Sequence, residues 1–363
     1  MLYMMFWLEE REEMYFYDLV FDGNKIVFPE YMVSQVVVLN DNFTIDTTIF
    51  NESYYDHLIF GVYSIADAYV FTMYKSRVVK KYIKESHFFV DVEVKGLPKE
   101  SEVQFKHNDI FVQKNNIIVI TTNNEILISD LAFSEVKYVK CIYKGMPHRQ
   151  IAEDDEYIYI PIEKKIFRMS KNDFETNVYA QFDQIIDVFF VNAKGFWILT
   201  NDLQLRNLNN MGESVDISAY IHFYGNRKCG QIYNYESVYC YDKKVILVPG
   251  YCDNLLIFDT KSNQISEIII EKEIENEQTL SRRYRKNIQK YIASCQNGQY
   301  ILFLSSSSEI LYIFDFETSL ITKCLRGINS RFVIEKDLEH KKILGEQVGG
   351  IDLKSYIKYI TNK

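Results

Sequence analysis

A pattern of short apolar strands recurs along most of this chain and limits the folds open to it. Each copy reads as a polar turn, two apolar strands separated by a short polar gap, a second turn and a further β-rich strand. Six copies are clear and one, at 55–83, is weaker; the clear copies lie at 22–49, 108–139, 154–182, 193–217, 241–270 and 297–324. Units of this size cannot bury both faces alone, so they indicate an architecture in which neighbouring repeats pack on one another.

The second apolar strand of each copy measures the repeat. It ends near Asn40, Tyr74, Asp130, Ser170, Asn207, Asp259 and Asp315, a mean spacing of about 46 residues. Propeller repeats place four strands in about 40–50 residues. The runs VVVL, ILIS, KIFRM, LLIF and LYIF are apolar enough to be third strands covered on both faces. The sequence therefore predicts an all-β fold, a β-propeller of about seven (six to seven) four-stranded blades.

The turn after this strand also repeats, as NDNF, SKNDF, DTKSN and DFETS. Asp, Asn and Ser at the start of such turns can bond to nearby main chain and stabilise the turn. These turns resemble those of kelch, WD40-like and YVTN-like propellers, and the resemblance covers most of residues 15–325. The paired glycines of kelch repeats and the GH and WD dipeptides of WD40 repeats are missing. The resemblance therefore implies the fold and no specific family.

We predict a single propeller domain over residues 15–335. Residues 1–14 form an N-terminal extension or an edge strand, 271–290 a charged insertion, and 336–363 a C-terminal tail or short helix. Residues 84–106 are expected to hold the fourth strand of one blade and the first strand of the next. The alternative is two smaller β domains divided near residues 218–230, which a contact between the first and last repeats would rule out.

Charge and cysteine usage narrow the class of partner and compartment. The formal net charge is −9, which disfavours binding to phosphate backbones, so no nucleic-acid partner is predicted. The sequence has no run of about 20 apolar residues, so no transmembrane segment is predicted. Six cysteines occur without a CxxC pair, which predicts reduced thiols and a cytoplasmic location. The frequent Ile, Lys, Asn, Tyr and Phe are typical of an AT-rich, bacterial genome.

Motifs that carry chemistry are missing from the sequence. The six histidines, at 57, 87, 107, 148, 222 and 340, form no close pair. They are expected as scattered surface or partly buried residues, unless a propeller axis brings some of them together. GxSxG, P-loop and GxGxxG motifs do not occur. We therefore predict no metal and no cofactor, and no residue can be named as catalytic.

The densest positive charge lies within the insertion, at Arg282, Arg283, Tyr284, Arg285 and Lys286. Such a cluster could dock an acidic partner or an anionic lipid surface. The adjacent acidic run EKEIENE could instead neutralise it through pairs on one helix face. We name these five residues as the candidate partner-binding site.

Two functions of different classes follow. The first is a non-catalytic binding or scaffolding propeller that presents a ring face and inter-blade loops to a protein or small-molecule partner. The alternative is a carbohydrate-active hydrolase or lyase with its site at the central channel. Two or more carboxylates with His or Arg at one mouth of the ring would favour the enzyme, whereas a narrow or chemically plain channel would favour the binding protein.

Overall fold

The chain folds into β-strands that pair in sequence order, four at a time. The computed structural model describes residues 18–30, 35–39, 45–50, 59–192, 194–210, 212–221, 234–250, 252, 254–270, 291–305 and 311–323. Within these ranges 28 strands form seven antiparallel units of four consecutive strands, here called blades one to seven. Two single-turn 3-10 helices accompany them, at His107–Asp109 and Ser218–Tyr220.

The first four blades contain β1 (Val20–Asp22), β2 (Lys25–Glu30), β3 (Gln35–Leu39), β4 (Ile45–Phe50); β5 (Ile59–Ser64), β6 (Ala68–Met73), β7 (Val78–Ile83), β8 (Phe88–Lys95); β9 (Ile110–Gln113), β10 (Asn116–Ile120), β11 (Glu125–Asp130), β12 (Val136–Cys141); β13 (Ala152–Glu153), β14 (Tyr157–Ile162), β15 (Lys165–Ser170) and β16 (Thr176–Gln181). The last three contain β17 (Ile186–Asn192), β18 (Gly195–Thr200), β19 (Gln204–Asn207), β20 (Ser214–Asp216); β21 (Tyr235–Tyr241), β22 (Lys244–Pro249), β23 (Asn254–Asp259), β24 (Gln264–Ile269); β25 (Tyr291–Asn297), β26 (Tyr300–Ser305), β27 (Leu311–Asp315) and β28 (Leu320–Lys323).

Burial falls from the middle of a blade to its outer edge. All six residues of β6 (AYVFTM) are buried, because this strand lies between two others and both faces of its blade meet a neighbouring blade. The outer strand β8 (FFVDVEVK) is largely exposed, with Val92 and Val94 buried. A continuous apolar run thus marks an inner strand, and a mixed run marks the rim.

The ring closes between the first and the last blade. Leu19 and Phe28 of the first repeat share a buried cluster with Leu302 and Leu304 of the seventh, and β1 contacts β25. The fold is a seven-bladed β-propeller, as the repeat predicted. The contact argues against the alternative of two separate β domains. The extension at 1–14, the insertion at 271–290 and the tail at 336–363 lie outside the described residues.

Two details of the sequence prediction are wrong in blade two. Tyr74 follows β6, which is the second strand; the third strand is Val78–Ile83. The two lysines Lys80 and Lys81 interrupt the apolar pattern, so the sequence does not indicate this strand. Both side chains are nevertheless buried. Lys80 Nζ donates to Asp91 at 2.8 Å, and Lys81 Nζ donates to a main-chain carbonyl at 2.6 Å. Residues 84–106 contain the predicted fourth strand β8 and no first strand, because blade three begins only at Ile110.

Blades two and three share a seam that the other blades lack among the described strands. β8 pairs with β12 in parallel, with Val94 opposite Val136 and Lys95 opposite Lys137, so the two blades form one eight-stranded sheet. Glu135 lies 3.1 Å from Lys95 Nζ and 3.0 Å from Lys137 Nζ, which offsets the adjacent positive charges.

The described part of the chain holds no helix long and apolar enough to cross a membrane. The cytoplasmic location stays a prediction.

Candidate functional site: a charged channel mouth

A cavity of about 130 Å³ opens on the ring face at which the first strand of each blade begins. The first strands of neighbouring blades contact one another, which places them around the axis. Residues just before or within the first strands of five blades supply the lining, together with Thr122 between β10 and β11. Its acidic and basic members are Asp18, Lys106, His107, Asp109, His148, Arg149 and Glu236. We call this site the channel mouth.

His107 is held by a carboxylate. Its Nδ1 donates to Asp18 Oδ1 at 2.5 Å, and Asp18 Oδ2 accepts the main-chain N–H groups of His107 at 2.9 Å and Val62 at 3.0 Å. Asp18 precedes blade one, Val62 lies in blade two, and His107 precedes blade three. One buried carboxylate therefore joins three blades and fixes the orientation of the imidazole.

Lys106 reaches across the axis. Its Nζ lies 3.1 Å from Oε1 of Glu236, which belongs to blade six. Burial lowers the pKa of the Lys106 ammonium, but the carboxylates of Glu236 and Asp18 more than offset this, so the pKa is raised overall. Lys106 is therefore charged at neutral pH.

Both ring nitrogens of His148 face oxygen acceptors. Nε2 lies 3.0 Å from Asp109 Oδ1, and Nδ1 lies 3.3 Å from Asn124 Oδ1. The Asn124 amide cannot turn round, because its Nδ2 donates to the carbonyls of Tyr143 at 3.1 Å and Met146 at 3.0 Å. These two contacts fix the orientation of the His148 ring.

Arg149 backs onto a buried carboxyl group. Its Nε donates to the main-chain carbonyl of Asp187 at 3.1 Å, an Nη2–H donates to the carbonyl of Tyr235 at 2.5 Å, and Nη2 lies 3.7 Å from Asp187 Oδ1. Burial raises the pKa of Asp187 to about 6, although Arg149 acts in the opposite direction. Among the described residues no hydrogen bond reaches Asp187 Oδ1.

Neutral hydroxyl groups complete the wall. Ser237 Oγ lies 2.6 Å from Ser294 Oγ, and the Tyr239 hydroxyl lies 3.0 Å from Ser294 Oγ. Ser237 and Ser294 line the cavity, whereas Tyr239 packs behind them. Burial raises the pKa of Tyr239 further above its ordinary value, so its phenol stays protonated.

The segment that carries Lys106 and His107 is fixed to blade two. Thr72 Oγ1 donates to the carbonyl of Phe105 at 2.9 Å. A Cβ placed on Gly61 would overlap that same carbonyl, so only glycine permits this approach. The guanidinium of Arg77 binds the preceding loop by donating to the carbonyls of Leu97, Pro98, Lys99 and Ser101.

The structure changes the expectation for the histidines. His107 and His148 are not scattered, because both line the channel mouth. The signal in the sequence is positional: the runs KHND and HRQ each stand shortly before the first strand of a blade. The predicted partner site at Arg282, Arg283, Tyr284, Arg285 and Lys286 lies outside the described residues. Within the described ranges no group of three or more His, Cys, Asp or Glu side chains is placed to hold a metal ion.

Comparisons with known proteins agree with the fold. The chain is similar to virginiamycin B lyase from Staphylococcus aureus, with 12% identity and a TM-score of 0.58 over 81% of this chain and 92% of the lyase. It is also similar to YCF48 bound to D1 peptide, with 11% identity and a TM-score of 0.57 over 83% of this chain and 93% of YCF48. PorZ, a surface component of the type-IX secretion system of Porphyromonas gingivalis, matches with 9% identity and a TM-score of 0.58 over 88% of this chain and 39% of PorZ.

At these identities the likeness shows the fold alone. No protein-family model matches the sequence, and no curated protein sequence matches it. The fold and the site together define a seven-bladed β-propeller with a charged cavity at one mouth of its axis. The resemblance to propeller repeats therefore holds at the level of the fold.

Proposed function

We propose that the protein is a binding or scaffolding propeller that holds one end of a peptide or protein segment in the channel mouth. The observation that carries the proposal is the convergence of charged and polar side chains from five blades on one cavity of about 130 Å³. A cavity of about 150 Å³ accepts benzene, and pockets for drug-sized ligands begin at about 300 Å³. The cavity therefore fits a terminal group or a short side chain better than a whole ligand.

The charged side chains of the channel mouth are already in position. Lys106 is paired with Glu236, His107 with Asp18, and His148 with Asp109. Side chains that are ordered before binding lose less conformational entropy when a partner arrives. The structural neighbour YCF48 was solved with a bound peptide, which supports a peptide as the class of partner at the level of the fold.

Filling the cavity tests the proposal. Thr122 lines the channel mouth and carries no charge, so Thr122→Phe occupies the space while every ion pair stays in place. Thr322 is exposed on the outer strand β28, and Thr322→Phe is the matched control. Peptides selected from a displayed library against the natural protein are expected to lose at least tenfold in affinity for Thr122→Phe and none for Thr322→Phe. Unchanged affinity for Thr122→Phe would remove the channel mouth as the binding site.

The second candidate is a carbohydrate-active hydrolase or lyase, and the contact between Asp18 and His107 favours it. A histidine oriented by a buried carboxylate is a common general base, and carboxylates, histidines and an arginine do meet at this mouth. One structural neighbour is a lyase. The small cavity weighs against it, because a sugar ring with its hydroxyl groups exceeds the size of benzene.

Turnover measurements separate the two candidates. The protein would be incubated with a panel of polysaccharides while reducing ends and unsaturated products are followed. Turnover that is lost in His107→Gln and kept in His87→Gln, a histidine outside the channel mouth, would establish the enzyme in place of the binding protein. We expect no turnover in any of the three proteins.

The basic cluster Arg282, Arg283, Tyr284, Arg285 and Lys286 stays a proposed second contact with the partner. Replacing residues 271–290 by a Gly/Ser linker of equal length is expected to weaken binding of a selected peptide in a salt-dependent way. If the natural protein and the linker variant bind the peptide with equal affinity at both low and high salt, the cluster is removed from the proposal.

A further inference from the structure

We infer that the channel mouth recognises an anionic oxygen group, a carboxylate, on the molecule it captures. The inference rests on the proposed binding function and adds the chemistry of the captured group. It follows from which member of each ion pair an incoming molecule meets first.

The basic residue is the more exposed partner in three of the four pairs. The exposed fraction is 26% for Lys106 against 15% for Glu236, and 13% for His107 against 1% for Asp18. It is 14% for Arg149 against 1% for Asp187, which does not line the cavity at all. The fourth pair is reversed, with 4% for His148 and 11% for Asp109.

The buried carboxylates are also occupied from behind. Asp18 accepts two main-chain N–H groups besides the imidazole of His107. Asp109 Oδ2 accepts the main-chain N–H of Lys106 at 2.7 Å, while Oδ1 faces the His148 ring. These donors satisfy Asp18 and Asp109 locally, so the charged groups left to meet an incoming molecule are Lys106, Arg149 and Glu236, two cations and one anion.

Asp187 contacts Arg149 from outside the cavity: Arg149 Nη2 lies 3.7 Å from Asp187 Oδ1, and Asp187 does not line the cavity. Burial raises the pKa of Asp187, so it is more readily protonated and offsets Arg149 less than an ordinary aspartate would.

Glu236 occupies the place that the ligand would take. Its carboxylate crosses the axis to reach Lys106, and both residues line the cavity. An incoming carboxylate can replace Glu236 on Lys106, which exchanges one ion pair for another of the same kind. Glu236 is thus an internal competitor, and its removal should strengthen binding of an anion and weaken binding of a cation.

Four probes test this: N-acetyl-Gly-Ala-Ala with a free C-terminal carboxylate, the same peptide amidated, propionate, and propylammonium. We expect the free-acid peptide or propionate to bind, and the amidated peptide and propylammonium to bind at least tenfold more weakly. Glu236→Gln keeps a polar side chain and should raise affinity for the anion about fivefold. The double variant Lys106→Gln/Glu236→Gln removes both charges and so leaves no unpaired buried charge. Its affinity for the anion should be at least tenfold lower than that of the natural protein.

The outcomes distinguish a peptide C-terminus from a free small acid and test the anionic inference. Binding of the peptide acid without propionate identifies a chain terminus, and the reverse identifies a free small acid. Tight binding of propylammonium, equal binding of the amidated peptide, weaker anion binding by Glu236→Gln, or no binding of any probe would overturn the anionic inference. Thermal melts of each variant report whether it is folded. The proposed function fails separately: selected peptides that bind Thr122→Phe as tightly as the natural protein would remove the channel mouth as the binding site.

Discussion

Gln150 bonds to both main-chain groups of Val238: its Nε2 donates to the Val238 carbonyl at 2.6 Å, and its Oε1 accepts the Val238 N–H at 2.5 Å. The Gln150 side-chain amide thus forms with Val238, in the first strand of blade six, the two hydrogen bonds that a neighbouring strand would otherwise form. Because Gln150 precedes blade four, the contact links two blades that are not adjacent in the ring. The channel mouth is held together partly by this link.

Removing the Gln150 amide should therefore destabilise the ring. Gln150→Ala leaves the N–H and the carbonyl of a buried residue without their partner, at a cost of about 1–3 kcal/mol for each unsatisfied group. Gln113→Ala removes a glutamine whose amide makes a longer contact at 3.4 Å, and should change stability by less than about 0.5 kcal/mol. Urea unfolding of both variants measures the difference; equal stabilities would show that water replaces the Gln150 amide.

The approach of blade two to the Phe105 carbonyl should make Gly61 irreplaceable. Gly61→Ala forces the main chain apart at the segment that carries Lys106 and His107, and overpacking of this kind costs about 1–3 kcal/mol. Gly212→Ala is the matched control, because a Cβ there meets only an ordinary contact at 3.7 Å. We expect Gly61→Ala to lower both thermal stability and peptide affinity. If Gly61→Ala had the same thermal stability and peptide affinity as Gly212→Ala, the close approach of Gly61 to the Phe105 carbonyl would be contradicted.

The Arg77 guanidinium should control the order of the loop at 97–101 with little effect on global stability. Arg77→Met removes four donated hydrogen bonds, but exposed carbonyls can bond to water instead. Amide exchange at Ser101 and Val103, which bond to the carbonyls of Pro98 and Ser76, should become at least tenfold faster. Arg206→Met, which removes an exposed ion pair with Asp202, is the control and should leave this exchange unchanged.

Asp187 should make the protein less stable as the pH rises through about 6. Its pKa is raised from 3.8 to about 6 by burial, so between these values the folded state binds more protons than the unfolded state. The free energy of unfolding then falls with increasing pH: the contribution is fully present below 3.8 and is lost as the pH rises through about 6. A shift of this size corresponds to about 2–3 kcal/mol.

Asn in place of Asp187 cannot titrate, which isolates the effect. The stability of the natural protein minus that of Asp187→Asn should fall by about 2–3 kcal/mol between about pH 4 and pH 7. Asp183 is exposed, and Asp183→Asn should leave the pH profile unchanged. Urea unfolding at several pH values measures all three proteins. A constant difference across this range would show that Asp187 titrates alike in the folded and unfolded states.

The sequence predicts the fold well because propeller strands are local in sequence. Each strand within a blade pairs with the next, and an apolar run in the sequence predicts a buried third strand such as Leu311–Asp315. The prediction is wrong where burial does not require an apolar residue: Lys80 and Lys81 are buried and bond their ammonium groups to oxygen.

The channel mouth was not predictable from spacing. His107 meets Asp18 across 89 residues, and Lys106 meets Glu236 across 130. These distances along the chain depend on how many blades lie between two first strands, so no local motif records them. Only the closed ring shows that His107 and His148 share one cavity.

The seam between blades two and three bears on how the molecule behaves at high concentration. The fourth strand of a blade leaves a row of main-chain donors and acceptors at the rim, where a second molecule could add a strand and start aggregation. At the seam, Val94 and Lys95 of β8 are paired with Val136 and Lys137 of β12, and Glu135 adds a charge beside the two lysines. This stretch of the rim offers no template for a fibre, because the protein has paired its own edges there.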